Sequence, residues 1–199
     1  MPRFVRLPSA FGILALAAGL PLAAAAQDAS LAVEVLGGAS VPVGTFASGD
    51  NVGEGTDAGA SFGVLLTMSG RGRRTTYFGF SQHRFGCTAA GCHADGSYVA
   101  TGLDAGLRLN IINRGSVLPW LGVGALTTRV ESPELPGSPA GVSSLGFGGE
   151  ASAGLYIGAG HAVAVNPQVR YASVGVDLPG EQRLTLRYWV AAVTLVLAF

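Results

Sequence analysis

The stretch YWVAAVTLVLAF, Tyr188 to Phe199, is almost wholly apolar and carries an aromatic as its last residue. Twelve residues as a helix reach about 18 Å, well short of the ~30 Å hydrocarbon core of a bilayer. As a strand they reach roughly 40 Å, and a tilt of about 40° brings that down to bilayer thickness. The length suits a membrane strand and not a membrane helix.

Alternation with period two runs through the rest of the chain. From Val99 to Ile111 the odd positions are Val, Thr, Leu, Ala, Leu, Leu and Ile, while Gly102, Asp104, Gly106, Arg108 and Asn110 lie between them. From Ala58 to Met68 the even positions are apolar, and Gly59, Ser61 and Gly63 share the other face. From Leu145 to Ile157 an apolar odd set alternates with Gly146, Gly148, Glu150, Ser152 and Gly154. Val163, Val165, Pro167, Val169 and Tyr171 alternate with Ala164, Asn166, Gln168, Arg170 and Ala172. Such a period places each set on one face of a sheet.

Including weaker segments, the pattern predicts eight strands near 31–41, 57–68, 74–85, 97–111, 117–129, 145–157, 162–174 and 184–199. Long, Gly- or Pro-rich connections (GTFASGDNVGEGT, GCTAAGCHADG, VESPELPGSPAGVSS, GVDLPGEQ) alternate with short ones (SGRGR, INRGS, GAGH). Long connections on one rim and short ones on the other are the outer-membrane barrel pattern. The expectation is an all-β fold: an eight-stranded antiparallel transmembrane β-barrel with up-and-down order.

The N-terminal region supports export. Arg3 and Arg6 precede the apolar run FGILALAAGLPLAAAA, and Ala24, Ala25 and Ala26 offer a small-residue exit before Gln27. These are the three parts of a secretory signal peptide, which predicts residues 1–26 as a cleaved leader and 27–199 as one barrel domain. Charged residues are 12% of the chain, against about 25% in an ordinary soluble domain, and the mean hydropathy is +0.44. After the leader no apolar run is long enough for a membrane helix. Setting aside Arg3 and Arg6, arginine and acidic residues nearly balance and lysine is absent, which makes nucleic acid an unsuitable partner.

A soluble eight-stranded barrel would point its apolar face inward and its polar face to water. Here the less apolar face is mostly Gly, Ala and Ser with isolated charges. That is a poor solvent surface but fits a narrow interior, where eight strands leave just enough room for side chains. Glu34, Asp104, Arg108, Glu150 and Arg170 are therefore expected inside the lumen as a charge network. Glu150 and Arg170 lie about equally far from the turn GAGH, centred between Ala159 and Gly160, which predicts that they face each other and pair.

The segment LGGASVPVGTF (36–46), the Gly-x-Gly strands, Arg170–Tyr171 and the closing alternation ending in Phe199 resemble the small outer-membrane β-barrel family of the OmpA-transmembrane-domain or OmpX type. The resemblance implies a terminal aromatic, Phe199, read by the barrel-assembly machinery. Apolar residues stand at alternate positions before it: Leu197, Leu195, Val193, Ala191 and Trp189. It also implies outer-membrane lipid as surroundings and a final strand that closes against the first. The resemblance extends to the barrel alone, and no periplasmic peptidoglycan-binding domain is expected after Phe199.

Candidate chemistry is sparse. Cys87 and Cys92 in GCTAAGCH, in an exported chain, read as a disulfide closing a small loop. A metal site from Cys87, Cys92 and His93 lacks a fourth ligand in sequence. The run GFGGEA (146–151) matches a loose dinucleotide fingerprint, but alternation continues through it where a helix would be needed. Ser81 and His83 share a strand face with Asp95 on the loop beyond, the residue types of a hydrolase but without a motif. Asp50, Glu54 and Asp57 do not match an EF-hand spacing. No cofactor is expected. The reading is a non-enzymatic outer-membrane barrel with a filled lumen and long extracellular loops, in a structural or surface-interaction role whose extracellular ligand is unknown. The alternatives are a narrow channel or transporter for small or apolar solutes and, behind it, a lipid-modifying hydrolase.

Overall fold

The computed structural model describes residues 30–44, 46, 55–70, 73–88, 96–112, 114–134, 140–178 and 182–199; of Leu178 and Gln182 it describes only the backbone. Their strands are β1 (Ser30–Pro42), β2 (Thr56–Asp57), β3 (Gly59–Ser69), β4 (Arg74–Cys87), β5 (Ser97–Asn110), β6 (Val117–Ser132), β7 (Gly141–Val142), β8 (Gly146–Ile157), β9 (Val163–Leu178) and β10 (Gln182–Ala198). The two-residue strands β2 and β7 extend the pairing of β4 and β6 at one rim. The other eight pair antiparallel, each with its neighbour in sequence, and β10 pairs with β1 over Ala32–Pro42. The sheet is a closed eight-stranded up-and-down barrel.

The register also fixes the tilt. Starting at Leu197 and stepping through its partners Val33, Leu66, Phe78, Ala105, Ala125, Gly149 and Ser173, the path returns to β10 at Arg187, ten residues from where it began. Strand number and stagger together set strand tilt and barrel width. For eight strands that width admits side chains and little else.

Alternation decides which side each residue takes. Even positions of β1, β5, β6, β8, β9 and β10 and odd positions of β3 and β4 point inward. Outside, the barrel presents Val35, Phe62, Leu66, Phe78, Leu107, Leu121, Val123, Val169 and Val193, with Val123 63% exposed. A contiguous apolar girdle of this kind cannot be left in water and is the surface a bilayer covers. Among the described residues no helix is long and apolar enough to cross a membrane. The strands supply the crossing instead.

The polarity reverses toward the rim that carries the long connections. There the inside is apolar, with Phe85, Tyr98, Val130, Val174, Val176, Leu184, Leu186 and Tyr188 in one buried cluster. The outside carries Arg84, Arg129, Glu131, Asp177, Arg183 and Arg187, all exposed. Phe46, from the segment after β1, is buried among the interior aromatics, edge-on to Phe85 at 5.0 Å and to Tyr98 at 5.9 Å between ring centroids. The Thr56 hydroxyl donates to the Phe46 carbonyl and ties that segment to β2. Where the wall leaves hydrocarbon its outer face becomes polar, and an apolar plug fills the lumen behind it.

Two expectations need correction. The connection GVDLPGEQ is not a long loop: β9 continues to Leu178 and β10 begins at Gln182, so only residues 179–181, which lie outside the described residues, separate them. The β8–β9 hairpin is centred on His161, because Ile157 pairs with Val165. Gly158 and Gly160 hold φ of 84° and 87°, a backbone region that L-residues avoid. The Gly158 and Ala159 amides both donate to the Ser116 carbonyl, which draws the turn toward the preceding connection. Glu150 consequently lies opposite Ala172, and Arg170 opposite Ser152. The shift is two residues, so both side chains keep their face.

The girdle makes a depth-dependent prediction. Val123→Arg should cost about 2–4 kcal/mol in urea unfolding from lipid vesicles, the penalty of an Arg near the bilayer midplane. An unchanged unfolding midpoint would mean that this face does not meet hydrocarbon.

Candidate functional site

Two tiers of buried charge cross the lumen. In the tier nearer the short turns, Arg108 Nη1 donates to Glu34 Oε1 at 2.7 Å and to Oε2 at 2.8 Å, and to the Tyr156 hydroxyl at 2.6 Å. Tyr156 in turn donates to Glu34 Oε1 at 3.0 Å. The Arg108 guanidinium carbon lies 4.6 Å from the Trp120 ring centroid and 4.8 Å from that of Tyr77. Rings so placed attract a cation through their negative faces while excluding water. The Trp120 indole donates to Asn166 Oδ1 at 3.0 Å, and Gln168 donates to Thr194 at 2.7 Å, which extends the polar packing beside this tier.

In the second tier Arg170 joins two carboxylates from different strands. Its Nη2 donates to Asp104 Oδ2 at 3.0 Å and also to Glu150 Oε2. Ser81 donates to Asp104 Oδ1 at 3.1 Å, and the Tyr77 hydroxyl donates to Glu150 Oε1. A common rule links the tiers: Glu34, Asp104 and Glu150 each receive one guanidinium and one hydroxyl. Three carboxylates meet only two arginines, and Tyr156, Ser81 and Tyr77 supply the donors that the missing cation would otherwise provide. Burying a carboxylate is costly unless its lone pairs are met in this way.

Four strands contribute the charges: β1 gives Glu34, β5 Asp104 and Arg108, β8 Glu150, and β9 Arg170. All are buried, Glu34 completely. They can meet because facing positions are empty. A Cβ on Gly106 or Gly124 would lie 2.4 Å or 2.3 Å from the Tyr77 hydroxyl, so these glycines leave the channel through which Tyr77 reaches Glu150. The expected pairing of Glu150 with Arg170 is present, made diagonally across β8 and β9 rather than between directly opposed residues.

The hydrolase candidates do not assemble. Ser81 spends its hydroxyl on Asp104, whereas His83 Nδ1 bonds Ser61 at 2.5 Å and its ring packs on Tyr188 at 4.9 Å. Nucleophile and base must be hydrogen-bonded to each other in such a mechanism, and Ser81 and His83 are not. Asp95, Cys92, His93, Asp50 and Glu54 lie outside the described residues. Cys87 ends β4 partly buried against the apolar plug and is not a free thiol. Among the described residues no three His, Cys, Asp or Glu side chains gather as metal ligands. Gly146, Gly148 and Glu150 lie within β8, with no helix after them. At the seam the Phe199 amide donates to the Leu31 carbonyl at 2.8 Å while its ring stays exposed, and Trp189 faces outward against Tyr171 at 5.1 Å.

Sequence reading picked out the charges but not their hydroxyl partners. The signal for Tyr77 lay in complementarity: a large inward residue on β4 at the level where β5 and β6 carry Gly106 and Gly124.

Arg170→Gln should destabilise the refolded protein by about 3–5 kcal/mol, because it leaves Asp104 and Glu150 buried without a cation. In a double-mutant cycle Glu150→Gln and Arg170→Gln should couple by roughly 0.5–3 kcal/mol; strictly additive losses would show the two to be independent. Gly124→Ala should cost about 1–3 kcal/mol by displacing Tyr77, measured by the same unfolding.

No protein-family model matches this sequence, and no curated protein matches it. Solved structures do share the fold. Neisserial surface protein A superposes with a TM-score of 0.62 at 13% identity, over 87% of this chain and 100% of that one. Weaker likenesses are to Ail, the attachment invasion locus protein of Yersinia pestis, in complex with the heparin analogue sucrose octasulfate (TM-score 0.47, 11% identity, 84% and 97% covered). The outer membrane protein AlkL in lipid bilayers is similar at TM-score 0.49 and 10% identity, with 86% and 90% covered. The chain thus has the fold of the small outer-membrane β-barrels, with Neisserial surface protein A among its structural likenesses; an assignment to the OmpA or OmpX type in particular does not follow.

Proposed function

We propose that the protein is a non-enzymatic outer-membrane barrel that serves the envelope as a structural and surface-exposed element and does not conduct solutes. The observation that carries this reading is the filled lumen. Two charge tiers and an aromatic plug around Phe46, Phe85, Tyr98 and Tyr188 occupy successive levels of the interior. A conducting pore needs a continuous polar path, and the apolar plug interrupts it. The hydrolase reading is set aside because Ser81 and His83 have separate partners.

In this reading residues 1–26 direct export, the long connections face outward, and Cys87 and Cys92 form a disulfide in the second of them, as an oxidising compartment favours. Phe199, exposed at the seam, is the mark that the assembly machinery reads, and outer-membrane lipid is the medium.

Three measurements test this. Purified protein should refold into detergent or lipid with a β-type circular dichroism spectrum and heat-modifiable gel mobility; monomeric folding in plain buffer would contradict the membrane assignment. In planar bilayers it should give no discrete conductance steps, and regular ion-conducting steps would favour the channel reading instead. Deleting Phe199 should lower the amount in the outer membrane far more than it weakens the folded barrel, since one terminal side chain contributes at most roughly 1.5–3 kcal/mol of burial. Normal surface levels of the truncated protein would remove the targeting role.

A further inference from the structure

The outward face is not uniformly bulky. Across β1, β10, β9, β8 and β6 it sinks into an apolar groove of about 690 Å³. Its course follows two register lines, Gly37–Val193–Pro167 and Ala191–Val169–Ala153, where Gly37, Ala191, Ala153 and Pro167 form the floor between Val193, Val169, Leu155 and Leu121. Five strands at about 4.8 Å spacing make it roughly 19 Å long, the length of an extended fatty acyl chain.

Above the groove stands a cation. On β10 the outward column descends from Arg187 through Trp189 to Ala191 and Val193, so the Arg187 backbone lies about 13 Å along the strand from Ala191. Trp189 and Tyr171 pack at a tilt between them, amphipathic rings at the level where headgroups give way to chains. Arg187 is one of three exposed arginines at a common height. The ten-residue offset raises each successive strand by a little over one residue per step. Arg84 is in register with Val99 and that with Glu131, which brings Arg129, two residues lower, level with Arg84. The same construction through Thr127, Phe147, Gly175 and Thr185 brings Arg187 to that height. Arg187 and Arg129 both stand on strands the groove crosses, but Arg129 lies eight residues above Leu121 on β6, whereas Arg187 lies four above Ala191 on β10; Arg84 is on a strand outside it. Below Arg84 on β4 come Gln82, Phe80 and Phe78, and the two phenylalanines stand out from the wall.

We infer that the face built by Arg187, Trp189 and the groove binds one phosphate-bearing, acylated lipid of the outer leaflet, with a phosphate on the guanidinium and an acyl chain along Ala191, Pro167 and Ala153. The assignment rests on the membrane orientation proposed above. Charge complementarity supports this occupant: a cation at the rim, aromatic rings beneath it and a chain-length apolar groove below match a lipid with an anionic head.

The test uses the whole protein refolded in an uncharged detergent and native mass spectrometry during titration with lipid A. Dimyristoylphosphatidylcholine, which carries saturated chains but no net charge, serves as comparison. Wild type should retain one lipid A at concentrations where phosphatidylcholine is not retained. Arg187→Gln and Ala191→Leu should each lower retention at least tenfold, and Ala153→Leu should do the same from the far end of the groove. Arg84→Gln should leave it unchanged. Binding by both leucine variants at the wild-type level would overturn the groove. Equal losses in Arg84→Gln and Arg187→Gln would reduce the effect to general attraction between arginines and phosphates. Heat-modifiable mobility of each variant reports the barrel separately, so failure to fold would count against the membrane reading and not against the lipid site.

Discussion

The seam between β1 and β10 is the contact on which the rest of this structure depends. In hydrocarbon an unpaired backbone amide or carbonyl costs several kcal/mol, so a sheet can cross a bilayer only if it has no edge. Eleven consecutive residues of β1, Ala32 to Pro42, are paired along β10, and the Phe199 amide adds a bond to Leu31. Closure at this register gives the barrel its ten-residue stagger, and stagger with strand number sets its width. Width then decides what the lumen can hold.

A lumen this narrow must be filled by its own side chains, and the filling differs along its length. At mid-depth and toward the short turns the inside is polar because the outside is lipid: the chain's few ionisable groups have nowhere else to go. They are arranged so that each carboxylate meets an arginine and a hydroxyl. Ion pairs of this kind are weak contributors relative to an apolar filling, but removing one partner is costly. Their positive role is to hold register, since a one-residue slip would turn Glu150 or Arg170 into hydrocarbon. Toward the long connections the outside is polar, and Phe46, Phe85 and Leu186 fill the inside as they would in a soluble barrel. The same alternation of faces serves both halves with the polarity exchanged.

Much of this was legible in the sequence because period two in a lipid-facing strand leaves a one-bit record at each position. Val99 to Ile111 assigns Asp104 and Arg108 to the inside without any knowledge of neighbours, and the observed bounds of β5 differ from the expected ones by one residue. What was not legible depends on distances around the ring. The diagonal meeting of Glu150 and Arg170 follows from a turn centred on His161, which the Ser116 carbonyl draws in from another hairpin. The hydroxyls of Tyr77, Ser81 and Tyr156 reach carboxylates on other strands, and only a closed register brings them within range. The plug was hidden for another reason: Val174, Val176 and Leu184 continue strands whose outer face has changed from apolar to polar, so the simple rule of apolar outside fails there. The exterior groove forms where Gly37, Ala191, Pro167 and Ala153 of four neighbouring strands come together, and it has no signature in any one of them.

The most direct test of closure is the pairing at the seam itself. In isotope-labelled protein refolded into lipid nanodiscs, nuclear Overhauser contacts between backbone protons of Val35 and Leu195, and of Ala39 and Ala191, should be present and as strong as those between β4 and β5. Their absence, or contacts in a register shifted by even one residue, would contradict a barrel closed by its first and last strands.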